Sequence, residues 1–174
     1  MLITRPRTEL DAMLEQVSVA ADAALPNRAA AVADTLARFA MLPGLLASCT
    51  LTPDPLRYTR HKLFSDPRGR FAVAALVWEP GQMSPIHAHR TWCALAVQQG
   101  ILTETFYGEG GSRKSDMEQQ AVALRLPGDT SHGSADPRSM HRLANLSCSI
   151  AVSIHVYGVP YEAFGEGVNL VYGG

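Results

Sequence analysis

What this sequence has little of bounds it first. Lysine and arginine (15) nearly cancel aspartate and glutamate (16), the formal net charge is −1, and no basic run occurs. Nucleic acid and anionic membrane surfaces are therefore not expected as partners. No apolar stretch approaches the roughly 20 residues needed to cross a bilayer, and Met1 to Arg7 is too short and interrupted for a secretory signal. Cysteine is scarce and odd in number: Cys49, Cys93 and Cys148 are scattered. That argues against a disulfide framework and for a reducing compartment, so a cytoplasmic location is expected. Solenoid repeats are absent, as is any linker long or polar enough to divide the chain. What remains is 174 residues, 47% hydrophobic and 18% charged. That is one compact domain able to bury a substantial core, an enzyme or a small-molecule-binding module.

The first quarter is Ala-rich and helical in pattern. Thr8 is a plausible N-cap for a helix carrying Leu10, Met13, Leu14 and Val17 on one face. Pro26-Asn27 is expected to break it and cap a second, with Val32, Leu36, Phe39 and Ala40 on one stripe and Pro43-Gly44 at its end. From about Tyr58 the texture becomes β. Phe71 to Trp78 reads as a buried strand, followed by runs at 94–97, 102–107, 121–126 and 150–157. Gly100, Gly108 with Gly110-Gly111, Pro127-Gly128 and the Gly133 to Pro137 segment punctuate them. Short strands so divided predict a sandwich or barrel. The expected division is a helical segment over 1–50 packed on a barrel over 51–174, one domain overall.

The chemistry concentrates around His87 and His89. On a strand, two residues one apart point to the same face, so both imidazoles can reach one ion. His141 opens another β-rich run. Three neutral imidazoles suit zinc, copper, iron or nickel, and the positions left open are what a catalytic metal requires. Ser153, His155 and Tyr157 likewise alternate onto one strand face. Read alone, His155 would be a core histidine satisfied by the serine.

Gly81, His87, His89 and Gly100, followed by His141 and Asn145, resemble the double motif of the cupins, with Cys93 where most cupins place a ligating glutamate. That exchange resembles the thiol dioxygenase branch, the cysteine dioxygenase family. The resemblance runs from about Tyr58 to Tyr161. It implies a mainly β cupin double-stranded β-helix, or jelly-roll, and one Fe(2+) per chain held by His87, His89 and His141. It also implies a small carboxylate-bearing thiol and O2 as substrates. Three neutral ligands leave the ion its full charge, which favours a thiolate. Ser153, His155 and Tyr157 match the family's hydrogen-bonded relay, with Tyr157 nearest the oxygen.

Tyr58-Thr59-Arg60 matches the element in which an arginine binds the substrate carboxylate, through a planar fork suited to it. Arg60 puts L-cysteine first, ahead of 3-mercaptopropionate and mercaptosuccinate. Thr91-Trp92 resembles the bacterial branch and gives the pocket a mixed character. By the same resemblance Cys93 and Tyr157 are either joined by a thioether or remain a buried thiol and a phenol. A non-oxidative metal-binding cupin is the reading from another class. Arg60 and Tyr157 are expected to line one cavity, and Trp78 and Trp92 to wall it. His61 and His132 are read as surface residues, and the chain as a monomer or small homo-oligomer.

Overall fold

The computed structural model of the chain describes residues 7–110, 117–165 and 167–172. Gly111, expected to help mark a strand end, lies outside these, as do residues 1–6. Helix α1 (Glu9–Ala20) starts at a reciprocal cap: the Asp11 amide donates to Thr8 Oγ1, and the Thr8 amide donates to Asp11. This satisfies two amides that an isolated helix end leaves bare. Helix α2 (Leu25–Ala40) departs from expectation, because Asn27 is not its cap. The cap position is Ala24, and Pro26 sits in the first turn, where no amide hydrogen is needed. Among the described residues no helix is long and apolar enough to cross a membrane.

Ten strands follow among the described residues: β1 (Thr59–Ser65), β2 (Ala72–Trp78), β3 (Ile86–His89), β4 (Cys93–Gln99), β5 (Leu102–Glu109), β6 (Met117–Arg125), β7 (Thr130–Gly133), β8 (Met140–Ala144), β9 (Ala151–Tyr157) and β10 (Asn169–Tyr172). They form two antiparallel five-stranded sheets, ordered β1-β2-β9-β4-β7 and β10-β3-β8-β5-β6. The mainly β architecture with two N-terminal helices is the expected one. Strands β1, β7 and β10 were not foreseen. They carry partly exposed, polar-interrupted patterns, since a strand at the end of a sheet has little to bury. Gly108 lies within β5 and does not follow it.

Strands β2 and β9 are buried at every position because the first sheet is covered on both faces. Val73, Ala75, Val77, Ala94, Ala96, Val152, Ile154 and Val156 pack against Met13, Val17, Val32, Leu36 and Ala40 of the two helices. The alternate residues, among them Leu76, Trp78, Cys93, Leu95 and Tyr157, face the interior between the sheets. The covering helices thus press one side of the sheet while the chemistry-bearing set occupies the other. Arg70 ties the end of α1 to the β1–β2 hairpin, donating to Asp66 at 2.8 and 3.0 Å, to Asp22, and to Ser18. Gly100 (φ +73°) tolerates the left-handed turn between β4 and β5, and a side chain there would strike the Ala151 backbone at 2.7 Å.

Candidate metal centre and active site

His87 and His89 lie on β3, and His141 lies opposite His87 in the β3–β8 pair. All three are buried, and one nitrogen of each falls within a set spanning at most 4.8 Å. His89 Nε2 and His141 Nε2 stand 3.0 Å apart. Two nitrogens each about 2.1 Å from one ion and at right angles around it would be about 3.0 Å apart, so the spacing fits a shared cation.

The remaining ring nitrogens explain why the Nε2 atoms face inward. His87 Nδ1 meets the Pro85 carbonyl at 3.0 Å. His141 Nδ1 meets Glu104 Oε1 at 2.8 Å. His89 Nδ1 has no well-formed hydrogen bond, nor has the Asn169 side-chain oxygen. The two residues are paired across β3 and β10, and Asn169 acts on the His89 ring, so each is the other's available partner. A hydrogen on Nδ1 leaves Nε2 bare for a metal. Burial, then the neighbouring histidines, lowers the His87 pKa to about 4 and that of His89 to about 2. Both rings are neutral at physiological pH, as ligands must be.

Glu104 escaped the sequence reading. It is fully buried on β5. Burial pushes its pKa up, but the hydrogen bond from His141, the charge on Arg125 and the Ser131 hydroxyl bring it below the usual value. The signal was available: Leu102, Glu104 and Phe106 alternate onto one strand face that is otherwise apolar, where a lone carboxylate must find partners.

The relay residues sit in one line on the inner face of β9. Ser153 Oγ lies 2.8 Å from His155 Nε2, and His155 Nδ1 lies 3.0 Å from the Tyr157 hydroxyl. Trp78 extends the line, donating from Nε1 to Ser153 Oγ at 2.9 Å. Trp78 can only donate, so the buried Ser153 hydroxyl hydrogen is satisfied by giving it to His155. The His155 Nδ1–H then donates to the Tyr157 oxygen, and the phenolic hydrogen is left for the interior. Burial, then Arg60, lowers the His155 pKa to about 3; burial, then Cys93, pushes Tyr157 up. Tyr157 is opposite Cys93 in the β4–β9 pair, and burial raises the Cys93 pKa to about 12. The His89 and Tyr157 rings are 5.5 Å apart.

A small void at the barrel centre is bounded by the three histidines, Cys93, His155 and Tyr157. A larger cavity of about 310 Å³ reaches His89 and His141 from the side of Phe106, Ser131 and Gly133. Arg60 and Tyr58 line neither; they border an open depression beside the 52–57 loop. The expected common cavity is not formed: Arg60 and Tyr157 line separate spaces with no lining residue in common. Arg60 belongs to the edge strand β1, paired with Leu76 of the inward set, and its exposed guanidinium donates to the Tyr58 hydroxyl at 3.2 Å. Tyr58 stacks on Trp78 at 4.3 Å. Arg60 therefore stands at the rim, close enough for its charge to lower the pKa of His87 and His155.

Other expectations change. Trp92 packs in the helix-facing cluster and walls no part of the site. His61 is half-buried, bound to the Thr52 carbonyl and Thr59 hydroxyl at 3.0 and 2.9 Å. His132 is exposed as expected, but on strand β7 and not in a turn. Asn145 holds backbone, donating to the Trp78 and Ser149 carbonyls at 2.8 Å each.

The family model described as "Cysteine dioxygenase type I" matches residues 17–166 of the chain. A solved structure from Thermus thermophilus is 21% identical, covering 66% of this chain and 93% of its own, at a TM-score of 0.50. An uncharacterized conserved protein with a double-stranded β-helix domain from Klebsiella pneumoniae is 18% identical, with 71% and 91% covered and a TM-score of 0.49. The barrel is of the cupin double-stranded β-helix type.

Proposed function

The chain belongs to the cysteine dioxygenase type I family, and from that premise we propose that it is an iron-dependent thiol dioxygenase. The reaction is RSH + O2 → RSO2H on a small carboxylate-bearing thiol, with L-cysteine giving cysteine sulfinate as the leading case. Both oxygen atoms end on sulfur, which gives up the four electrons that O2 gains. The observation that carries this reading is the convergence of three buried imidazoles on a void that the Tyr157 side chain also bounds.

His87, His89 and His141 would hold one ferrous ion. When bound, it supplies a site for the thiolate and electrons for O2. The protein's own contributions are orientation and exclusion of water. Arg60, steadied by Tyr58, meets the carboxylate at the rim. Tyr157, its oxygen already accepting from His155, points its hydrogen inward, where it stabilises negative charge developing on oxygen. Trp78 and Ser153 keep that direction from reversing.

The pairing of Cys93 with Tyr157 across neighbouring strands supports a thioether between them as part of this reading. Sulfur bonds to a ring carbon of Tyr157, two hydrogens leave, and O2 accepts their electrons and protons. Cys49, Cys93 and Cys148, none of them in a disulfide, suit a reducing, cytoplasmic setting.

Because Arg60 is exposed and does not line the void beside the histidines, a second substrate reading is a thiol acid such as 3-mercaptopropionate or mercaptosuccinate. Oxygen uptake by the iron-loaded protein with cysteine and these two acids, side by side, tests both. Uptake matched by sulfinate is expected, fastest with cysteine. No uptake with any thiol, from protein shown to hold iron, would overturn the dioxygenase reading.

A further inference from the structure

Glu104 is unlike the groups that orient the other two histidines. His87 leans on a backbone carbonyl, and the partner available to His89 is the side-chain oxygen of Asn169 across the strand pair, both neutral. Among the described residues only His141 meets a carboxylate. That carboxylate is engaged on both oxygens. Oε1 accepts from His141 Nδ1 at 2.8 Å and Ser131 Oγ at 2.9 Å. Oε2 accepts from Arg125 at 2.8 Å (Nε) and 2.6 Å (Nη2). The partners come from β8, β7 and β6. In register, Glu104 pairs with Leu143 and Ala123, so His141 and Arg125 are its diagonal neighbours on either side. The Glu104 side chain is wholly buried, while 22% of that of Arg125 is exposed.

We propose that Glu104 is the positioning residue of the metal centre, and that His141–Glu104–Arg125 forms a charge relay from the ion to the barrel surface that sets how strongly His141 donates. The proposal rests on the reading of the three histidines as metal ligands. The carboxylate stands behind the His141 ring, on the side away from the ion position. It fixes the His141 ring with Nε2 towards the ion. It also draws on the Nδ1 hydrogen, which makes that ring a better donor than the other two. Arg125 opposes this, because its charge shares the same carboxylate. The two residues therefore act on the metal with opposite signs, which a purely structural ion pair would not do.

The test compares Glu104→Gln and Arg125→Gln with the parent protein. Two readouts need neither thiol nor turnover: anaerobic ferrous-ion affinity against a chromogenic chelator, and the midpoint potential of the bound ferric/ferrous couple. Glu104→Gln should weaken ferrous binding about 10–100-fold, the usual effect of losing such a partner, and raise the potential. Arg125→Gln should lower the potential and leave affinity equal or tighter. If both variants shift the potential in the same direction, or neither shifts it, the relay is overturned. Should Glu104→Gln fail to fold, shown by loss of cooperative unfolding, Arg125→Gln decides alone, and an unmoved potential refutes the idea. A parent protein that binds iron but oxidises no thiol would sink the dioxygenase reading and leave the relay standing.

Discussion

Acid should unfold the metal-free protein at a pH where most domains of this size are at ease. Three buried histidines dominate this sensitivity: His87, His89 and His155 have pKa values lowered to about 4, 2 and 3, chiefly by burial. In the unfolded chain each returns to about 6.5. The unfolded state therefore binds protons first, and the stability from these sites is complete only above that value. It falls as pH drops, and stops falling only below the folded values. Each pH unit in between costs about 1.4 kcal/mol per site. From pH 7 to pH 5 the loss is about 1.9 kcal/mol per histidine and about 5.6 kcal/mol for the three, the fraction of unfolded-state imidazole already protonated at pH 7 being counted. Typical domains hold about 5–15 kcal/mol in total, so the metal-free chain should be close to unfolding at pH 5. Urea denaturation at pH 7, 6 and 5 measures this directly. His155→Gln, which touches no proposed ligand, should remove about a third of the pH dependence. An unfolding free energy that changes by less than about 1 kcal/mol between pH 7 and 5 would refute the picture of three neutral buried rings.

Arg60→Ala should raise the KM for cysteine about tenfold with little change in kcat, the low end for a charge-assisted hydrogen bond, because the residue is exposed and shared with Tyr58. Unchanged steady-state KM would remove it from carboxylate binding. Trp78→Phe keeps an aromatic ring beneath Tyr58 but removes the donor to Ser153. It should cut kcat about tenfold, the worth of one net hydrogen bond, and full activity would show that the relay needs no anchor. After turnover, intact mass should show a population lighter by two hydrogens that disappears in Cys93→Ser; a fully unmodified mass would exclude the thioether. Leu36→Ala, at the buried contact of α2 with the first sheet, should cost about 2–5 kcal/mol. Thermal unfolding at the parent temperature would contradict that contact.

Much of this protein follows from local pattern. The period-two placement of His87 with His89, and of Ser153, His155 and Tyr157, depends only on strand geometry, and the structure puts both sets on inner faces. The buried runs at β2 and β9 read as continuous apolar segments because helices cover the outer face of their sheet. Thr8 announces α1 because its cap closes within four residues. The rest depends on pairings between distant segments. Glu104 meets His141, Ser131 and Arg125 only once β5 lies between β6 and β8 and the open edge of the other sheet closes over it. Trp78 reaches Ser153 through the β2–β9 pairing, which turns an expected apolar wall into the anchor of the relay. Trp92 and Arg60 went to places sequence could not assign. Which side of a sheet the helices cover, and how far an edge strand carries its side chains towards solvent, are decided by packing. Short-range spacing determines which residues share a face; only the assembled barrel determines what that face meets.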